Sequence, residues 1–292
     1  MPKKISTARG REFGAGLRAA IAGAGLTSRA LAEILDWDEA KLSGVVNGKG
    51  GASLLEIATL LGVCRVVAAE REHLLSLHPE VHIKGWWQQH GMCAPISLRT
   101  LCENLAVAES LTSWHTHLVP PFLQTVDYMH EVLLASSTVP KAEVQDRVKA
   151  QFAMQELLRG GKKCFFFIHE LALHLCVGGA EVHAAQLLHL LLMAKWSNVS
   201  IRVLPAALGA HPGLAGPFTQ LTFAKYEPLV WMDTENSSLL DESTDAIAGY
   251  GKVIRALDEK SLDEADSKDL IVRLYDASCL ADDELATRKP VC

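Results

Sequence analysis

Leu26 to Gly48 reads LTSRALAEILDWDEAKLSGVVNG. Thr27 is placed to cap a helix over Ser28 to Leu35, its hydroxyl accepting from a free N–H of the first turn. Asp38 can do the same for a second helix, Glu39 to Asn47. Asn47-Gly48 ends it, because glycine takes the positive φ that a helix stop often needs. Leu31, Ala32, Ile34, Leu35, Leu42, Val45 and Val46 supply an apolar seam, with Ala32 small where the helices cross. Two short helices around a tight turn have the form of a helix-turn-helix. In that motif the first helix lies over the phosphates and the second enters the major groove.

Outward from this stretch, Phe13 to Gly23 carries Leu17, Ala20 and Ile21 at helical spacing. Ser53 and Glu56 make a capping box ahead of Leu54, Leu55, Ile57, Leu60 and Leu61. Together these predict a compact all-α head. On the head Ser28 can donate to a phosphate oxygen and Arg29 adds charge. Lys41 and Ser43 lie on the candidate recognition helix. Asn47, Lys49 and the arm residues Lys3, Lys4, Arg9 and Arg11 are candidates for flanking phosphates. Glu39 can accept from a cytosine amino group but repels phosphate. Gly44 offers no reach and costs about 1 kcal/mol of helix stability. Each good bidentate base contact contributes roughly 1–3 kcal/mol, and this helix has few groups to make one. A degenerate bundle used for association stays open beside the DNA reader.

Charge divides the chain in the same sense. The net charge of the 292 residues is −6, yet residues 1–65 hold nine Lys/Arg and six Asp/Glu, leaving the rest at −9. A basic head on an acidic body suits a head that meets phosphate. No apolar run approaches the roughly 18 residues of a membrane helix, and the basic N-terminus lacks an apolar signal core. Seven cysteines with no Cys-x-x-Cys fit free thiols in a reducing cytoplasm, the expected location. Cys64 and Cys176 sit among apolar neighbours and read as core; Cys292 is terminal.

Past the head, strands and helices interleave. KCFFFIHE, VSIRVLP, TQLTFA and LVWMDT read as strands, and AEVHAAQLLHLLLMAKW as a strong helix. Glu143 to Arg159, Asp245 to Leu257 and Asp266 to Ala277 read as further helices. The expected fold is multidomain, a helix-turn-helix head followed by an α/β or α+β body. Its expected parts are a flexible basic arm at 1–12, the head at 13–70, a connector at 71–97, the body at 98–280 and a tail at 281–292.

The head's KLSGVVNG resembles the Lys-Val-Ser-Arg-Ile-Glu-Asn-Gly of actinobacterial Xre-type, lambda-repressor-like regulators of the WhiJ-like family. Lys41, Ser43, Asn47 and Gly48 match. Gly44 replaces an expected Arg, Ser28 an expected Gln, and Glu39 a Gln or Ser, all at positions that face DNA in the family. In the body, LVPPFLQTVDYMHEVL resembles the family's Leu-Val-Pro-Gly-Leu-Leu-Gln-Thr stretch. FFIHELALHLCVGG is similar to its Glu-x-x-Leu-Arg segment, with Glu170, Gly178 and Gly179 kept and His174 where Arg is usual. The resemblance implies a transcription regulator with a large C-terminal domain of unknown function. It also implies a protein ligand, a small acidic BldB-like partner.

Other chemistry finds little support. His169 and His174 bracket HELALH, one residue too long for His-Glu-x-x-His; on a helix the second would be turned about 140° from the first. His115 and His117 can share a strand face but lack a marked third ligand. His211, in GAHPGLAGPF, lies on a loop where function tends to sit, although a turn histidine is the simpler assignment. No Gly-x-Gly-x-x-Gly, Walker loop or Gly-x-Ser-x-Gly elbow occurs. The tryptophans read as core or partner anchors, and the acidic run from Asp233 to Asp245 as a solvated loop or a partner rim. The sequence therefore predicts a non-enzyme without metal or cofactor: a cytoplasmic regulator of double-stranded DNA, expected as a homodimer. The alternative is a protein-interaction module whose head no longer binds DNA.

Overall fold

The computed structural model describes residues 6–287 apart from 91, 97 and 160. Lys3, Lys4 and Cys292 lie outside them.

Five helices form the head: α1 Ala8–Gly23, α2 Ser28–Leu35, α3 Glu39–Val46, α4 Leu54–Val63 and α5 Ala68–Leu77. The expected caps are present. Thr27 Oγ1 accepts from Ala30 N–H at 3.1 Å and Asp38 Oδ1 from Lys41 N–H at 2.6 Å. Ser53 and Glu56 complete a reciprocal capping box at the start of α4. Phe13, Leu17, Leu31, Leu42, Ile57, Leu60 and Leu74 close one apolar core.

The body is a seven-stranded mixed sheet with helices on both faces. Its elements are β1 Trp86–Gln89, α6 Arg99–Val107, β2 Ser110–His115, α7 Val126–Ala135, α8 Val144–Glu156, β3 Lys163–His169 and α9 Glu170–His174. There follow α10 Gly179–Met193, β4 Val199–Leu204, β5 Phe218–Thr222, β6 Leu229–Asp233, β7 Ser237–Asp241, α11 Thr244–Lys260 and α12 Glu264–Thr287. The strand order is β1-β7-β6-β5-β2-β3-β4. β2, β3 and β4 run parallel, linked by helical crossovers; the other pairs are antiparallel. Alternation along the strands makes two cores. Phe166, Ile168, Ile201 and Leu221 face one side, with Leu187 and Leu190 of α10 and Ile271 of α12. Trp114, Phe167, Leu204, Phe218 and Val230 face the other, beneath Leu257 of α11.

Three boundaries differ from the sequence expectation. The segment read as a flexible arm is already helical at Ala8, and Arg9 and Arg11 are buried rather than free for phosphate. Arg11 pairs with Glu242 and Asn104, and Arg9 lies 3.9 Å over the Trp86 ring and pairs with Glu80. The connector contributes an edge strand, because Trp86 to Gln89 find hydrogen-bond partners on β7. The tail does not start at 281, since α12 continues to Thr287. Cys64 is buried as expected, whereas Cys176 is exposed in the turn before α10. Glu242, read with a solvated acidic run, is a buried partner of Arg11.

Candidate nucleic-acid interface

The two helices of the opening stretch meet across a left-handed residue, Asp36 (φ 53°), and Asp38 restarts the chain as α3. Ser28, Arg29, Glu39 and Ser43 surround a concave surface of about 370 Å³, with Leu42 and Val46 beneath. All four are exposed. Ser28 and Arg29 come from the first turn of α2, Glu39 and Ser43 from one face of α3, so a single ligand spanning the cleft can touch both helices. Arg29 pairs with Glu33 one turn away at 3.3 Å, with 80% of its side chain accessible. Such an exposed pair is weak and yields readily to a phosphate. Lys49 is exposed on the loop after α3.

Two of the seven predicted residues are otherwise engaged. Lys41 pairs with Glu56 of α4 and its ammonium lies 4.6 Å over the Trp37 ring. That contact, with the capping bonds from Ser53, holds the Glu56 carboxyl down at about 2. Lys41 thus ties α3 to α4. Asn47 donates to the Ser43 carbonyl at 2.7 Å and closes the end of α3. Both were legible as polar residues of the second helix; their internal partners depend on how α4 packs.

Arg18 belongs to this region without any mark in the sequence. Exposed on α1, it donates to the Val46 carbonyl and satisfies the C-terminal end of α3. Nothing in its spacing signals this role, since the partner lies on another helix. Gly10 and Gly14 also let α1 touch this end of α3. A Cβ on Gly10 would lie 2.5 Å from the Gly48 carbonyl oxygen, and one on Gly14 2.5 Å from that of Val46.

Behind this head stands the sheet domain. Residues 98–273 match the family model described as Domain of unknown function (DUF5753). The chain belongs to this family. The DUF5753 span begins just before α6, takes in β2 to β7 and ends within α12. Edge strand β1 falls outside the span although it is bonded into the same sheet. The head precedes the DUF5753 domain and makes no part of the match. No curated protein and no solved structure matches the chain. Among the described residues no helix is long and apolar enough to cross a membrane, and no group of three or more His, Cys, Asp or Glu could hold a metal ion.

Proposed function

We propose that this protein is a DNA-binding transcriptional regulator whose head is a helix-turn-helix and whose DUF5753 body receives the signal. The observation that carries it is the convergence of Ser28, Arg29, Glu39 and Ser43 on one exposed cleft between two short, capped helices. In this assignment α3 enters the major groove, α2 crosses the backbone, and Arg29 and Lys49 meet phosphate. The face is close to neutral because Glu33 and Glu39 offset the two cations. A single head therefore binds weakly, and a homodimer on a symmetric operator supplies the missing affinity. The small acidic BldB-like partner is the proposed signal. Exposed Trp87 on edge strand β1 and exposed Met92 just beyond it support a protein contact there.

A second function, association without DNA binding, is favoured by one observation: Lys41 and Asn47 spend their polar groups inside the head. Arg29→Ala with Lys49→Ala separates the two. If the head reads DNA, the double variant binds more weakly, and the slope of log affinity against log salt becomes shallower by about one for each phosphate it no longer neutralises. If the head serves association only, the variant changes the oligomeric state or leaves both DNA measurements unaltered.

A further inference from the structure

A second concave site lies in the body, beyond the C-terminal ends of parallel strands β2, β3 and β4. Open parallel sheets commonly bind ligands at such strand ends. The site has a volume of about 360 Å³, and its lining includes Thr116, His169, Leu171, His211 and Leu214.

Its floor is rigid. Trp114 is fully buried and donates from Nε1 to the Gly213 carbonyl at 2.9 Å. Gly213 presses so closely that a Cβ there would sit 2.4 Å from the indole. The loop carrying His211 is thereby pinned to the sheet. His169 and His211 both stand edge-on to the indole, and their own ring centroids are 5.1 Å apart. Two residues 42 positions apart in sequence form one pair.

The two rings share a tautomer. His169 Nδ1 accepts from the Leu171 N–H and His211 Nδ1 from the Gly213 N–H, each at 3.2 Å. An Nδ1 that accepts carries no proton, so each neutral ring holds its proton on Nε2. Desolvation lowers both pKa values and so favours the neutral rings. Among the described residues neither Nε2 has a hydrogen-bond acceptor. A metal-ligating histidine has the reverse arrangement, with the far nitrogen donating and the near one bare. The nearby carboxylate, Glu170, is occupied: one oxygen accepts from the Ala206 N–H at 2.7 Å and the other lies 3.5 Å from His174 Nε2. The site thus offers two N–H donors and no free acidic acceptor. Its mouth is flanked by Leu171 and Leu214, 58% and 66% exposed, large apolar side chains left uncovered.

We propose that this site binds a small, largely apolar monocarboxylate, its two oxygens accepting from His169 Nε2 and His211 Nε2 and its hydrocarbon lying against Leu171 and Leu214. The proposal rests on the body alone and stands whether or not the head binds DNA.

The test uses the full chain labelled with ¹⁵N-histidine, titrated with benzoate as the probe and followed by the His169 and His211 side-chain resonances. His211→Asn and His169→Asn are suitable variants, because an Asn oxygen can still accept the local backbone N–H while the Nε2 donor is deleted. The expected result is Nε2–H rings in the free protein, saturable shifts of both, and benzoate binding weakened at least about tenfold in each variant, the scale of one charge-assisted hydrogen bond. Leu214→Glu, which places a like charge at the mouth, should weaken binding more than Leu214→Gln. Should either Asn variant fail to fold, the two Leu214 variants still decide the question. Rings protonated on Nδ1, no saturable shift with benzoate, or equal effects of Leu214→Glu and Leu214→Gln would each overturn the proposal.

Discussion

Arg11 and Glu242, 231 positions apart, form a buried ion pair with Nη2 2.8 Å from Oε1. The other oxygen of Glu242 accepts from the Ala8 N–H at 2.7 Å. The Arg11 guanidinium also lies over the Phe223 and Tyr226 rings. Glu12, one residue on, bonds Thr100 of α6 and His73 of α5. The first turns of α1 are therefore docked to the body, while Phe13 and Leu17 of the same helix fill the head core. One helix belongs to both units and its glycines touch the end of α3.

Breaking this pair should loosen the docking. Glu242→Gln leaves the Arg11 guanidinium buried without its counter-charge, and removing one partner of a buried pair typically costs about 3–5 kcal/mol. A urea denaturation of the variant is expected to show a lower midpoint and, because α1 bridges both units, a transition that begins to separate into two. An unchanged single transition would mean that the pair contributes nothing to the docking.

The close approach of α1 to α3 gives a second expectation. Gly48 has φ +67°, and a Cβ there would fall 1.8 Å from the Gly10 carbonyl oxygen. Gly48→Ala combines backbone strain with overpacking and should destabilise by about 3 kcal/mol. Gly62, in α4 with nothing within 4 Å of its added Cβ, should do the opposite. Gly62→Ala is expected to stabilise by about 1 kcal/mol. Thermal melts of the two variants on either side of the parent would bear this out.

Gly44 tests the proposed role of α3 as a recognition helix. A Cβ there meets only the Gly50 carbonyl oxygen, at an ordinary 3.5 Å. Gly44→Arg should therefore keep the fold and add a side chain long enough to reach a base or phosphate. Fluorescence anisotropy is expected to show about tenfold tighter DNA binding, at the lower end of what one added contact yields. A folded variant with unchanged affinity would place Gly44 away from the nucleic acid.

Stability should depend on pH through histidines. Desolvation lowers the pKa values of His90, His115, His169, His183, His189 and His211, that of His115 to about 4. Between the folded values and the ordinary 6.5 the unfolded chain binds more protons, so the folded state is most favoured above that range and loses stability as pH falls through it. Asp233, whose carboxyl accepts from Trp231 and Ser238 and is pushed up to about 6 by desolvation, acts in the opposite sense at lower pH. Six histidines outweigh one carboxyl. The urea midpoint should fall from about pH 7.5 to about pH 5.5; a rise would show that these rings are charged in the folded protein.

Much of this was legible in the sequence, for physical reasons. Thr27, Asp38, Ser53 and Glu56 announce helix starts because capping is local. The strands carrying Phe166, Ile201 and Leu221 announce themselves by apolar content. Edge strand β1 did not, because Trp86 to Gln89 have no strand pattern until β7 is beside them. Arg9 and Arg11 read as a free basic arm because their partners Glu80, Glu242 and Asn104 are distant in sequence. His169 and His211 were each visible as isolated residues, one in a rejected metal motif and one on a loop. Only the sheet brings them together against Trp114.

The most direct test of the regulator assignment is binding of the purified full-length protein to a fragment of its own upstream region, at two salt concentrations and against random DNA of equal length. The predicted result is tighter binding to the upstream fragment, weakening steeply as salt rises. Equal binding to both fragments, or no binding by a folded protein, would contradict it.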